Sequence, residues 1–99
     1  MYKLLIFLKK TDEEKINEHF EEYTLKYLKE LKAERLKVGE VESNLLLDIK
    51  YSKYCEVETD SKSSFDELMN SKTGKLLSKD LMEFHQYLTV IPIIIDDLK

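Results

Sequence analysis

Cysteine, proline, glycine and tryptophan are nearly missing from this chain: one, one, two and none among 99 residues. With Cys55 as the only cysteine, neither an intramolecular disulfide nor a zinc site built on cysteines can form. Gly39 and Gly74 are too few for a phosphate-cradling loop or a dinucleotide fingerprint, which need backbone close to a ligand at several points. So little punctuation also predicts mostly regular secondary structure. No long Lys/Arg run is present, and 16 basic residues against 20 acidic ones give a formal charge of −4. A nucleic-acid partner normally demands a basic stripe, so none is expected. The N-terminal apolar run is too short to span a membrane and leads straight into an amphipathic pattern, with no small-residue cleavage site. The expectation is a cytoplasmic protein without metal, cofactor or membrane partner. His19 and His85 do not stand at a metal-binding spacing.

What the chain does have is 42% hydrophobic residues and ten aromatics, enough for one core over a single domain, 1–99. Its opening, Tyr2-Lys3-Leu4-Leu5-Ile6-Phe7-Leu8-Lys9-Lys10, is apolar on both faces, as a central strand with cover above and below would be. Ile16, Phe20, Tyr23, Tyr27 and Leu31 then recur at spacings of three and four, with Thr24 and Leu28 widening the stripe. That predicts an amphipathic helix of about five turns, capped by Thr11 or Asp12.

Residues 34 to 59 read as extended. Gly39 within the first part hints at a bulge or close backbone contact, Ser43-Asn44 offers a turn, and Leu45 to Tyr51 is either strand or connection. Tyr54 to Thr59 is a cleaner strand, with Cys55, Val57 and Thr59 on one face and Tyr54, Glu56 and Glu58 on the other. Phe65, Leu68 and Met69 make a short helical face, Gly74 is a plausible terminator, and Leu77, Leu81 and Phe84 begin a second one. The chain then runs from Tyr87 to Ile95, β-branched and hence a strand. Pro92 cannot donate to a ladder and assigns that strand to an edge.

The resulting order is β-α-β-β-α-β, the ferredoxin-like α+β arrangement, with two helices on one face of a four-stranded antiparallel sheet. Nothing remains to cover the other face or the isoleucine-rich edge. A second copy of the chain would cover both. An RNA-recognition domain shares this order, but it needs exposed aromatics on one face of its central strands. Tyr2 and Phe7 fall on opposite faces, and the charge is wrong.

The opening strand, the helix from Glu13 to Leu28, the strand Tyr54-Cys55-Glu56-Val57-Glu58-Thr59 with its Asp60-Ser61 turn, Ser71-Lys72-Thr73-Gly74, and Asp80 with Phe84 together resemble the EthD-like family of the dimeric α+β barrel superfamily. The resemblance covers nearly the whole chain through loose motifs. It implies a homodimer whose two sheets close a barrel, and a pocket between each sheet and its own helices. Members typically carry a histidine, followed two residues later by proline, in the first helix. This chain has Thr24 and Lys26 there, so no general-base role carries over.

Tyr23, Tyr27, Tyr54, His85 and Tyr87 are the candidate pocket residues, because buried tyrosines need partners that a ligand or water could supply. The plainer reading is core and rim. His19 borders the apolar stripe, and no residue is assigned a catalytic role. Glu56 and Glu58, pointing away from the helices, are expected to pair with Lys or Arg across subunits. Cys55 reads as a small buried hydrophobe. The expected function is a small dimeric barrel protein of undefined activity, binding a small apolar or aromatic molecule between sheet and helices. The alternative is a cofactor-independent, monooxygenase- or isomerase-like enzyme of the same superfamily.

Overall fold

The computed structural model describes residues 1–42 and 49–96. The expected turn at Ser43-Asn44 and most of the undecided stretch from Leu45 lie outside them. Strand β1 (Tyr2–Lys9) leads into helix α1 (Glu14–His19), a π-helical turn (Phe20–Thr24) and α2 (Leu25–Glu30). Strands β2 (Arg35–Glu40) and β3 (Tyr51–Thr59) follow, then α3 (Lys62–Asn70), α4 (Lys72–Glu83), a 3-10 turn (His85–Tyr87) and β4 (Leu88–Ile94). The four strands form one antiparallel sheet in the order β2-β3-β1-β4. This is the ferredoxin-like α+β fold. β1 is central and the Pro92 strand is an edge, as the missing N–H requires.

β1 alternates between two environments. Tyr2, Leu4, Ile6 and Leu8 are buried beneath the helices, while Lys3, Leu5, Phe7 and Lys9 are only half-buried on the opposite face. Val57 and Cys55, register partners of Leu4 and Ile6, extend the buried face. Phe20, Leu25, Leu28 and Leu31 cover it from the first helical segment, and Phe65 and Leu77 from α3 and α4. Tyr2 and Phe65 meet with ring centroids 4.8 Å apart.

Several local expectations change. The predicted five-turn helix contains a π turn, which rotates the stripe. Thr24 is buried, whereas Tyr23 is 48% exposed. The residue before α1 is Glu13, and Thr11 instead accepts the Glu13 N–H just outside the helix at 3.1 Å. Lys32, just past α2, takes a left-handed conformation (φ 57°) that glycine usually fills. Gly74 does not terminate a helix. It lies in the first turn of α4, where Ser71 accepts its N–H and a β-carbon would stand 2.2 Å from the Leu68 carbonyl oxygen. Gly39 is neither bulged nor crowded, since a β-carbon there would meet nothing within 4 Å. The register shift falls instead between Leu8 and Lys9, setting Lys9 opposite Tyr51.

Candidate active site and open sheet face

α4 carries one carboxylate on its buried side. Asp80 lies between Leu77 and Phe84 in the apolar stripe and is 5% exposed. A carboxylate buried this far requires donors, and both come from the first helical segment. His19 Nε2 bonds Asp80 Oδ1, and Thr24 Oγ1 donates to Asp80 Oδ2 at 2.6 Å. Residues five apart point to different sides of an α-helix, but across an i→i+5 turn they nearly align. The π turn between His19 and Thr24 is what lets one carboxylate take both. The imidazole also stacks on Phe84 (centroids 3.9 Å apart) and on Tyr23 (5.2 Å), each at 25°.

Beside this cluster opens a cleft of about 320 Å³. His19, Tyr23 and Tyr27 line it from the first helical segment, and Leu76, Lys79, Asp80 and Glu83 line it from α4. Where a pocket was expected between sheet and helices, a groove of about 410 Å³ opens between Leu4 and Val90 of the sheet and Phe65, Met69, Leu81 and Met82 of α3 and α4, whereas the space under the first helical segment is filled. The cavity left among Leu8, Phe20, Thr24, Phe84 and their neighbours measures about 10 Å³, room for about one water. Side chains of β1 and the π turn occupy the rest.

The five predicted pocket residues are therefore dispersed. Tyr23 and Tyr27 share the cleft. Tyr87 borders the small inner cavity, and its hydroxyl donates to Glu13 Oε2 at 3.2 Å, which raises the phenol's pKa. His85 is exposed in the 3-10 turn, its Nδ1 2.9 Å from the Met82 carbonyl oxygen, beside the groove of Leu81, Met82 and Val90. Tyr54 stands on the far side of the sheet. Asp80 and Thr24 are the residues that sequence reasoning missed as partners for His19. The available signal was a carboxylate set into the apolar stripe of α4.

The open sheet face has its own organisation. The register shift brings Tyr51 beside Tyr54, and both rings lie 5.1 Å from that of Phe7. Tyr54 donates to Glu56 at 2.7 Å. Burial, then the Glu56 carboxylate, push the Tyr54 phenol up to about 12, while the Tyr54 and Lys3 hydrogen bonds hold Glu56 below the usual carboxylate range. Lys3 lies 3.2 Å from Glu56 and 3.5 Å from Glu58, with Lys37 and Arg35 each at 3.8 Å from one of them. Both carboxylates thus find cations within their own chain, because β1 and β2 flank β3 and bring Lys3, Arg35 and Lys37 alongside. Leu5, Phe7, Ile91 and Ile93 share this face. Cys55 is buried on the helix side, and burial pushes its thiol up to about 12, leaving it protonated and inert as read.

Among the described residues no group of His, Cys, Asp and Glu could hold a metal ion, and no helix is long and apolar enough to cross a membrane. No protein-family model matches the chain, and a search of the curated proteins finds no match. Solved structures do. An EthD family protein from Bacillus halodurans superposes with a TM-score of 0.83 at 21% identity, covering 97% of this chain and 99% of that one. An Arabidopsis thaliana protein gives 0.67 at 17% identity, covering 100% and 99%. A dimeric ferredoxin-like protein of unknown function from Thermobifida fusca gives 0.60 at 10% identity, covering 95% and 90%. The shared feature is the fold.

Proposed function

We propose that this chain is an EthD-like protein of the dimeric α+β barrel type, a homodimer through its open sheet face, and that it binds a small molecule in the His19 cleft. The observation that carries the dimer is the open face. Leu5, Phe7, Ile91 and Ile93 lie on it, and its carboxylates already hold their cations within the chain. Such a face can meet a copy of itself by burying apolar area while Glu56 and Glu58 keep their cations. The Thermobifida fusca neighbour, described as dimeric, supports the same reading by analogy of fold.

Ligand binding rests on the cleft, whose volume of about 320 Å³ is at the small end for ligand sites. It combines aromatic and aliphatic walls with one held imidazole. A second reading, a cofactor-independent enzyme, is favoured by the His19–Asp80 pair, since a histidine oriented by a buried carboxylate is the usual form of a general base. Light scattering at micromolar concentration tests the dimer: twice the chain mass is expected, and a clean monomer removes the interface. A thermal-shift screen of single-ring aromatic and aliphatic compounds, repeated on Leu76→Glu, tests the cleft. Hits that survive that substitution unchanged bind elsewhere.

A further inference from the structure

We infer that α1 is a latched lid, hinged at the π turn and held shut by Asp80. The lid buries no residue fully, whereas the π turn anchors Phe20 and Thr24 in the core and α2 anchors Leu25 and Leu28. The Glu13 side chain, ahead of α1, caps none of its backbone N–H groups. Side-chain contacts hold the lid down. His19 Nε2 bonds Asp80 and the ring lies on Phe84, Ile16 packs against the margin of the core, and the Tyr87 hydroxyl reaches Glu13 at 3.2 Å. The Asp80 contact differs from the others in reaching across the hinge, because the same carboxylate also takes the Thr24 hydroxyl. A segment with so little burial belongs to the part of a fold that opens first.

The hinge gives the lid two states. Single π turns are rare insertions in otherwise α-helical segments. At about 100° per residue, an α-helix sets residues five apart roughly 140° from each other. His19 and Thr24 could not then both reach one carboxylate. In the π turn they do, and Asp80 bonds each of them. The carboxylate therefore favours the π form over the ordinary α form. When its bonds break, the α preference takes over and α1 turns by about one residue, roughly 100°, against an anchored α2. That motion carries off Ile16 and His19, the two α1 side chains that close a cavity of about 10 Å³ over Leu8, Phe84, Tyr87 and Leu88. Opening thus uncovers apolar surface between helix and sheet at the end of the molecule that is closed in this structure.

Hydrogen exchange and NMR on the ligand-free protein test the lid, so the result does not depend on whether the His19 cleft binds anything. In the wild type, amides from Ile16 to Thr24 should exchange through an opening that low urea leaves unchanged. Their protection should be about 10- to 1000-fold, matching an open fraction of about 0.1–10%. Amides of β1 and β3 should exchange by global unfolding and follow urea steeply. Asp80→Leu removes both acceptors and continues the apolar stripe of Leu77 and Leu81, an exchange of buried charge for packing that folds commonly tolerate. Protection from Ile16 to Thr24 should fall at least about tenfold, the loss of one charge-assisted hydrogen bond or more. The ring contact of His19 with Phe84 should vanish from the NMR spectrum while Phe20 and Leu28 stay buried. If the wild-type segment exchanges with the same urea dependence as β1, there is no separate lid. If Asp80→Leu keeps both the protection and the His19–Phe84 contact, Asp80 is not the latch. Should that variant fail to fold, the wild-type urea series alone decides.

Discussion

Thr24 and Asp80 are separated by 56 positions, yet the threonine hydroxyl donates to the carboxylate at 2.6 Å, and both residues are buried, 1% and 5% exposed. Asp80 takes one bond on each oxygen, from Thr24 and from His19. Thr24→Val keeps the shape and deletes one donor to a buried charge. A loss of about 1.5–3 kcal/mol is expected, read by urea denaturation, with Thr24→Ser recovering most of it. A Thr24→Val protein as stable as the wild type would mean that the hydroxyl does not hold Asp80.

The two glycines should respond oppositely to alanine. At Gly74 the new β-carbon would stand 2.2 Å from the Leu68 carbonyl oxygen and 2.4 Å from Met69 Cα, so α3 and α4 must separate. Overpacking of this kind costs about 1–3 kcal/mol. At Gly39 the space is open, and a strand glycine replaced by alanine should stabilise by about 0.4–1 kcal/mol through the unfolded chain. Thermal melts of the pair decide it; similar shifts in both would contradict the assigned helix contact.

Lys32 ends the first helical segment at φ 57°. An L side chain in that conformation costs on the order of 1 kcal/mol. Lys32→Gly removes this cost but gives the unfolded chain more freedom, so a net gain of roughly half a kcal/mol or slightly more is expected. A lower melting temperature for Lys32→Gly would show that the left-handed turn is not adopted in solution.

Two titrations follow from the open sheet face. Glu56 is held below its unfolded value, about 4.3, first by Tyr54 and also by Lys3. Its stabilisation is therefore complete above that pH and lost as pH falls through the lower, folded value. Tyr54 is raised, to about 12, by burial and then by Glu56. The neutral phenol is the folded form, so its contribution holds below about 10 and disappears as pH rises toward the folded value. Tyr54→Phe should remove the last phenolate step from an ultraviolet titration and flatten the acid side of the stability curve. Persistence of the late step in Tyr54→Phe would assign it to another tyrosine.

Much of the fold could be read from the chain itself. Cys55, Val57 and Thr59 are buried on one side of β3, with Tyr54, Glu56 and Glu58 on the other, because a strand's period of two admits no other division. Pro92 marked an edge for an equally local reason. The candidate site was far less legible. Tyr23, Tyr27, Tyr54, His85 and Tyr87 were chosen as polar-tipped residues near an expected pocket, and they occupy separate cleft, sheet and surface positions. Under the first helical segment the expected space is filled by Phe20, Thr24 and Leu8, and the groove that opens between the sheet and α3 and α4 holds only His85 of the five.

By itself the sequence determined the element order, the face of each residue on β3 and the need for cover beyond one layer of helices. Periodicity and hydrogen-bond capacity are properties of neighbouring residues, so they survive any uncertainty about distant contacts. The meeting of His19, Thr24 and Asp80 was decided by tertiary structure alone. A π turn shifts the helical phase by a residue without a sequence marker, and the carboxylate that justifies it comes from a different helix. The same holds for the cations around Glu56 and Glu58. Strand order, fixed only when the sheet assembles, put them within one chain.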